Sequence, residues 1–213
     1  MNLGKRTKIC EILSQQHKDV VIELDYQTPF QLLVAVVLSA QATDKGVNKA
    51  TKVLFAKVST PSEMIALGEP QLEHYIRSIG LFRSKAKNVM SLSKILVERF
   101  DSIIPKNRVD LESLPGVGRK TANVVLNVLY QQPLIAVDTH VFRVANRTGI
   151  AKGKTVLEVE NKLLKFIPKQ YLLDLHLWLI HHGRYTCVAR KPKCLGCPIK
   201  DLCEYKDKEI KKI

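Results

Sequence analysis

The sequence has 213 residues, 46% hydrophobic and 25% charged, an ordinary globular balance that excludes a disordered chain. Its 34 Lys and Arg against 20 Asp and Glu give a formal charge of +14, which favours a polyanionic partner such as nucleic acid, with plain solubility charge as the alternative. The strongest apolar run, Leu32–Leu38, falls far short of the roughly 20 residues a spanning helix needs, and no apolar signal core follows the charges of Met1–Arg6, so neither a membrane nor secretion is indicated.

Taken in chain order, the elements are helical almost throughout, and the chain is predicted to be all-α with about ten short helices. Cys10 stands alone beside Ile9 and Ile12 on a helical face and reads as inert core. Thr28-Pro29 is a cap followed by proline at the first helical position. It opens a helix that is apolar nearly all round from Phe30 to Ala42, as a central buried helix would be. Thr60-Pro61-Ser62-Glu63 is another start signal, with Glu63 placed for a capping box. Gly68 and Gly80 sit where helices would stop. Ser84–Phe100, Val156–Ile167 and Tyr171–Ile180 carry helical apolar spacing, and Pro133–Val137 is a short, isolated extended segment. The charge excess is spread along the chain, with +5 concentrated in residues 181–213.

Ile79–Ala86 is echoed 36 residues later by Pro115–Ala122, with Gly, a branched aliphatic, Arg and Ala in register. The second copy lies in Leu111–Ala122, a helix-hairpin-helix pattern: Pro115 stops one helix, Gly116 and Gly118 make a tight turn, and Arg119-Lys120 opens the next. Glycines permit backbone angles closed to other residues and let a ligand reach the main chain. A helix N-terminus behind them binds a phosphate oxygen without reading a base. A plain helical corner is the alternative. In the upstream copy Phe82 replaces the second glycine. Leu81-Phe82 then either folds back into the core or forms a wedge for a base stack.

Four of the five cysteines, Cys187, Cys194, Cys197 and Cys203, lie within 17 residues at C-x6-C-x2-C-x5-C. In an intracellular chain such thiolates converge on a metal centre rather than form disulfides. Zinc sites usually show two C-x2-C knuckles or histidines; here there is one knuckle, and Pro198 follows Cys197 as in ferredoxin-like runs. The spacing favours a [4Fe–4S] cluster, with zinc as the alternative. Arg190, Lys191 and Lys193 lie between the first two cysteines, where a metal would hold them rigidly for phosphate docking.

Lys120 is unusual because the first turn of a helix disfavours a cation. A neutral amine is a nucleophile able to form a Schiff base; a phosphate-binding lysine is the alternative. Asp138, in Val137-Asp138-Thr139-His140-Val141-Phe142-Arg143, reads either as a helix cap or as a carboxylate that stabilises positive charge on a sugar. His140 reads as structural or as packing against substrate.

With these residues in view, the sequence resembles the endonuclease III family, bifunctional DNA glycosylases of the helix-hairpin-helix superfamily that remove oxidised pyrimidines. The resemblance runs from about residue 3 to 208. It is carried by Leu38-Ser39-Ala40-Gln41-Ala42-Thr43-Asp44, Leu114–Ala122, Val137–Arg143, His182-Gly183-Arg184-Tyr185-Thr186-Cys187 and the 6-2-5 cysteine spacing. It implies a two-domain all-α fold. Residues 22–132 would form a six-helix barrel containing the hairpin at about 108–127. Residues 1–21 plus 133–213 would form a discontinuous helical domain with the cluster loop 187–203, and the active cleft would lie between the two. It also implies a mainly structural [4Fe–4S] cluster on Cys187, Cys194, Cys197 and Cys203, and a monomer working in the cytoplasm at the nucleoid. The expected partner is double-stranded DNA containing oxidised pyrimidines or abasic sites. By resemblance Lys120 attacks the sugar C1′, and Asp138 stabilises the oxocarbenium charge. Gln41 fills the vacated stack and Leu81 wedges the opposite strand. Gly116, Val117 and Gly118 bind the DNA backbone with Arg190, Lys191 and Lys193, and Asp44 and Glu112 are supporting acids. The rivals are a monofunctional mismatch glycosylase of the same superfamily, disfavoured by Lys120, and a non-catalytic metal-binding DNA module.

Overall fold

Eleven α-helices and one turn of 3-10 helix make up the regular structure of the computed structural model, which describes residues 1–208; no strand occurs among them. In chain order the helices are α1 (Leu3–Gln16), α2 (Pro29–Leu38), α3 (Asp44–Phe55), α4 (Pro61–Leu67), α5 (Glu69–Ile76) and α6 (Phe82–Phe100). There follow α7 (Arg108–Glu112), α8 (Arg119–Tyr130), α9 (Thr139–Thr148), α10 (Val156–Phe166) and α11 (Leu172–Tyr185). The fold is all-α, as its periodicity predicts. Two compact units emerge: residues 23–130, and residues 1–22 together with 131 onward. Residues 209–213, the end of the second expected domain, lie outside the described residues.

In the 23–130 unit, α2 is buried from Phe30 to Leu38 and packs against α3, α6 and α8. Its polar residue Gln31 is satisfied there. The side-chain amide donates to the carbonyls of Phe55 and Val58 at 2.9 and 2.8 Å, and Oε1 accepts from the Gln27 N–H. The Thr28 side chain caps α2 with Pro29 at its first position. The helix ends at Leu38, short of the expected Ala42, because Ser39 caps it and Gln41 turns to φ 54°. The expected capping box is present on α4: Thr60 Oγ1 accepts from the Glu63 N–H at 3.2 Å, and Glu63 Oε2 accepts from the Thr60 N–H at 3.0 Å. Gly68 ends α4 at φ 81°. Gly80 ends no helix; α5 stops at Ile76, and Gly80 lies in the turn that leads to α6.

In the other unit, α1 covers α11 with Ile9, Cys10 and Leu13, while α9 packs against α10 and α11. Cys10 is core, and burial pushes its thiol up to about 12. Ile135 and Val137, in the extended run before α9, are buried in the same core. Burying such side chains contributes roughly 1.5–3 kcal/mol each, so this run is anchored although it pairs in no sheet.

Candidate active site and metal centre

The hairpin joins α7 to α8. Leu114 and Val117 face the core, and the Val117 N–H is engaged by the Leu114 carbonyl at 3.0 Å. Any phosphate contact at Val117 therefore cannot use that N–H in this arrangement. Gly116 has φ 81°, and a Cβ there would come within 3.1 Å of Asn88 and 3.2 Å of Val37. Gly118 departs from the expectation: its φ lies outside the left-handed region, and a Cβ would meet nothing within 4 Å. Gly116 shapes the turn, and Gly118 leaves the surface beside it open. Lys120 is exposed in the first turn of α8. Glu112, at the end of α7, faces Arg108 Nε at 3.7 Å. Asp44 is the first residue of α3, next to its cap Thr43.

Gln41 and Leu81 come together although forty residues separate them. Both have positive φ, 54° and 59°, and both line one surface pocket with Gly116. Leu81 is 63% exposed, so it does not fold back into the core. Phe82 behind it is half-buried under the Arg83 guanidinium.

Asp138 caps α9: its Oδ1 accepts from the Val141 N–H at 2.8 Å. The cap fixes the carboxylate while using one oxygen for that bond. Burial holds His140 below the usual imidazole range, against the pull of the Asp138 charge, and Arg143 and Arg184 add to the lowering. Its Nδ1 lies 3.2 Å from the Arg143 guanidinium, an arrangement that suits a neutral ring accepting at Nδ1.

Two arginines of α9 hold the cysteine segment. Arg143 donates to the carbonyls of Cys187 and Gly183 at 3.1 and 2.8 Å. Arg147 donates to the carbonyls of Val188 and Ala189 at 2.7 and 2.8 Å, and its guanidinium lies 3.7 Å from Cys187 Sγ. Its face also covers the Tyr205 ring. Arg147 belongs to none of the sequence motifs, and Arg143 only closes the Val137–Arg143 motif. The available signal was two arginines four apart on the helix that Asp138 opens. His182, the first residue of the His182–Cys187 motif, is buried on α11 with Nε2 3.6 Å from Cys197 Sγ.

Cys187, Cys194, Cys197 and Cys203 line one pocket with Ile199, Pro192 and Tyr205. Among the described residues, no group of three His, Cys, Asp or Glu side chains is placed to hold a single metal ion. Four cysteines lining one pocket, with no three-ligand set for a single ion among the described residues, fit an iron–sulfur cluster held by four thiolates better than a lone zinc. Burial and the neighbouring thiols push Cys197 up to about 11 and raise Cys203, so metal loading displaces their protons. Arg190, Lys191 and Lys193 are exposed on the loop between the first two cysteines, and Lys191 has φ 51°. The Lys193 N–H donates to the Thr186 carbonyl at 2.9 Å, which closes that loop.

Comparison with known proteins extends this geometry. Residues 34–169 match the HhH-GPD superfamily base excision DNA repair protein family, and residues 187–203, from the first cysteine of the cluster to the last, match the iron-sulfur binding domain of endonuclease III. The chain is 56% identical over 208 residues to endonuclease III of Haemophilus influenzae, covering 98% of this chain and 99% of that one. It is 53% identical to endonuclease III of Escherichia coli strain K12 over the same shares. A solved structure of a trapped endonuclease III–DNA covalent intermediate, an estranged-adenine complex, superposes with a TM-score of 0.90 at 45% identity, covering 96% of each chain. The cofactor of the cysteine pocket is a [4Fe–4S] cluster. From its hairpin to its last cysteine, the chain belongs to the endonuclease III family of helix-hairpin-helix base excision DNA repair proteins.

Proposed function

We propose that this chain removes oxidised pyrimidines from duplex DNA and cuts the strand 3′ to the abasic site through a Schiff base on Lys120. The observation that carries the reading is Lys120 itself, an exposed amine in the first turn of α8 directly behind the Gly116–Gly118 turn. The amine forms a bond to C1′ as the glycosidic C–N bond breaks and the base departs. Loss of the amine proton and opening of the ring give the Schiff base. Removal of a C2′ proton then expels the 3′ phosphate oxygen by β-elimination. Asp138, oriented by its cap bond to Val141, stabilises the positive charge that develops on the sugar. Gln41 fills the space left by the extruded nucleotide, and Leu81 wedges the opposite strand. The hairpin and the loop of Arg190, Lys191 and Lys193 carry backbone phosphates. The 23–130 unit acts as the hairpin-bearing barrel domain and the other unit as the cluster domain. No described helix is long and apolar enough to cross a membrane, and the reading places the protein in the cytoplasm at the nucleoid.

Borohydride reduction on a duplex carrying an oxidised pyrimidine tests this. Wild-type protein is expected to become covalently trapped, and Lys120→Ala to give no adduct. Asp138→Asn should slow base release by about 100-fold or more. Base release without an adduct would mean a monofunctional glycosylase, and trapping by Lys120→Ala would remove Lys120 from its role.

A further inference from the structure

Ile79–Ala86, the upstream copy of the echo, lacks the glycine that leaves the surface open at the hairpin, but it has a polar feature of its own. Lys85, in the first turn of α6, is only 5% exposed, and its ammonium has no hydrogen-bond partner. Burial holds it below the usual lysine range. The start of a helix is positively polarised, which adds to the cost of a cation there. No side chain caps this helix start: the N-cap is Leu81, apolar and left-handed at φ 59°. A buried unpaired cation and an uncapped helix N-terminus thus meet at one place. Lys85 lines a surface pocket of about 140 Å³ together with Gln41, Leu81, Ser84, Asn88 and Gly116, and no acidic residue borders it.

We propose that Lys85 and the N-terminus of α6 form a second phosphate site for the DNA backbone, beside the side chains of Gln41 and Leu81. This rests on the DNA-repair reading above. Charge selects phosphate over a base edge. A desolvated ammonium and an uncapped helix start both gain most from a full negative charge, and Ser84 and Asn88 supply neutral donors at the same pocket. The two turns of the echo then share a task by different means. The glycine turn exposes main chain to one phosphate, and the upstream turn offers a buried lysine to another.

The test uses full-length, iron-loaded protein and a duplex with a tetrahydrofuran abasic site, placed opposite adenine or guanine. Binding is followed by anisotropy from 50 to about 300 mM salt, with thermal unfolding in parallel. K85M is expected to weaken binding roughly tenfold or more, equally for both opposing bases. The slope of log affinity against log salt should fall by about one. K85R should keep the wild-type slope, and K85M should melt no lower than wild type, because it removes an unpaired buried charge. An unchanged slope, or a loss confined to one opposing base, overturns the phosphate site. So does a K85R protein that loses affinity together with stability, which would mark Lys85 as a packing residue. If wild type shows no salt-dependent duplex binding, the DNA reading itself fails; if wild type binds and K85M matches it, only the Lys85 site fails.

Discussion

At Gly116 the main chain holds φ 81°, and a Cβ would press on Asn88 and Val37 at 3.1–3.2 Å. Two residues on, Gly118 has neither the angle nor the crowding. Gly116→Ala should therefore lower unfolding free energy by about 1–2 kcal/mol, from the left-handed angle and the close contacts together. Gly118→Ala should stay within about 0.5 kcal/mol of wild type yet weaken duplex binding, because its methyl group stands on the surface offered to a phosphate. Urea unfolding and anisotropy measured on both variants check the pair; equal stability losses would refute the division. The sequence motif presents the two glycines alike, since a glycine letter carries no φ. Lys85 was equally invisible. A lysine in a helix pattern reads as a solvated face, and only tertiary packing against α2 and the hairpin turn reveals that its amine is covered.

Helices were legible where cap and period agree. Thr28-Pro29, Thr60–Glu63 and Asp138 each announce a start by local chemistry that a single strand of text contains. Ends were less legible. The apolar run of α2 continues past Leu38 in composition, but the chain turns at Gln41, whose left-handed angle no residue-type preference signals. The cysteine spacing was legible, but the arginines of α9 that hold that segment were not, because their contacts bridge more than forty residues. Helix packing also sets a pH response. His17, at the C-terminal end of α1, is buried against His181 and His182 of α11, with ring centroids 4.6 and 6.1 Å away. Burial, then the charge of His181, pushes it down from 6.5 to about 4. Above pH 6.5 the ring is neutral folded or unfolded, and nothing is lost. As pH falls from 6.5 toward 4, the unfolded chain takes up a proton that the folded chain refuses, so stability drops across that window. His17→Asn should flatten the drop, read as urea midpoints at pH 7.5, 6 and 4.5. An identical pH slope in the variant would remove His17 as a source.

Across the whole molecule the charge of +14 works as a distributed surface more than as a tail. Reversing Lys191 and Lys193 to Glu on the loop closed by Lys193 and Thr186 should weaken lesion and undamaged duplex to the same degree. The salt dependence of both should become shallower. A loss restricted to lesion DNA would contradict a backbone-docking role. The division of the chain has a temporal side as well. The apolar face of α1, with Ile9, Cys10 and Leu13, is among the first things synthesised, yet its partner α11 begins at Leu172. At about 5–20 residues per second, that face waits roughly ten to thirty seconds on the ribosome for its cover. A helix with so few buried positions and so many charged ones, Lys5, Arg6, Lys8 and Glu11 among them, can pass that interval without offering a large sticky surface to its neighbours.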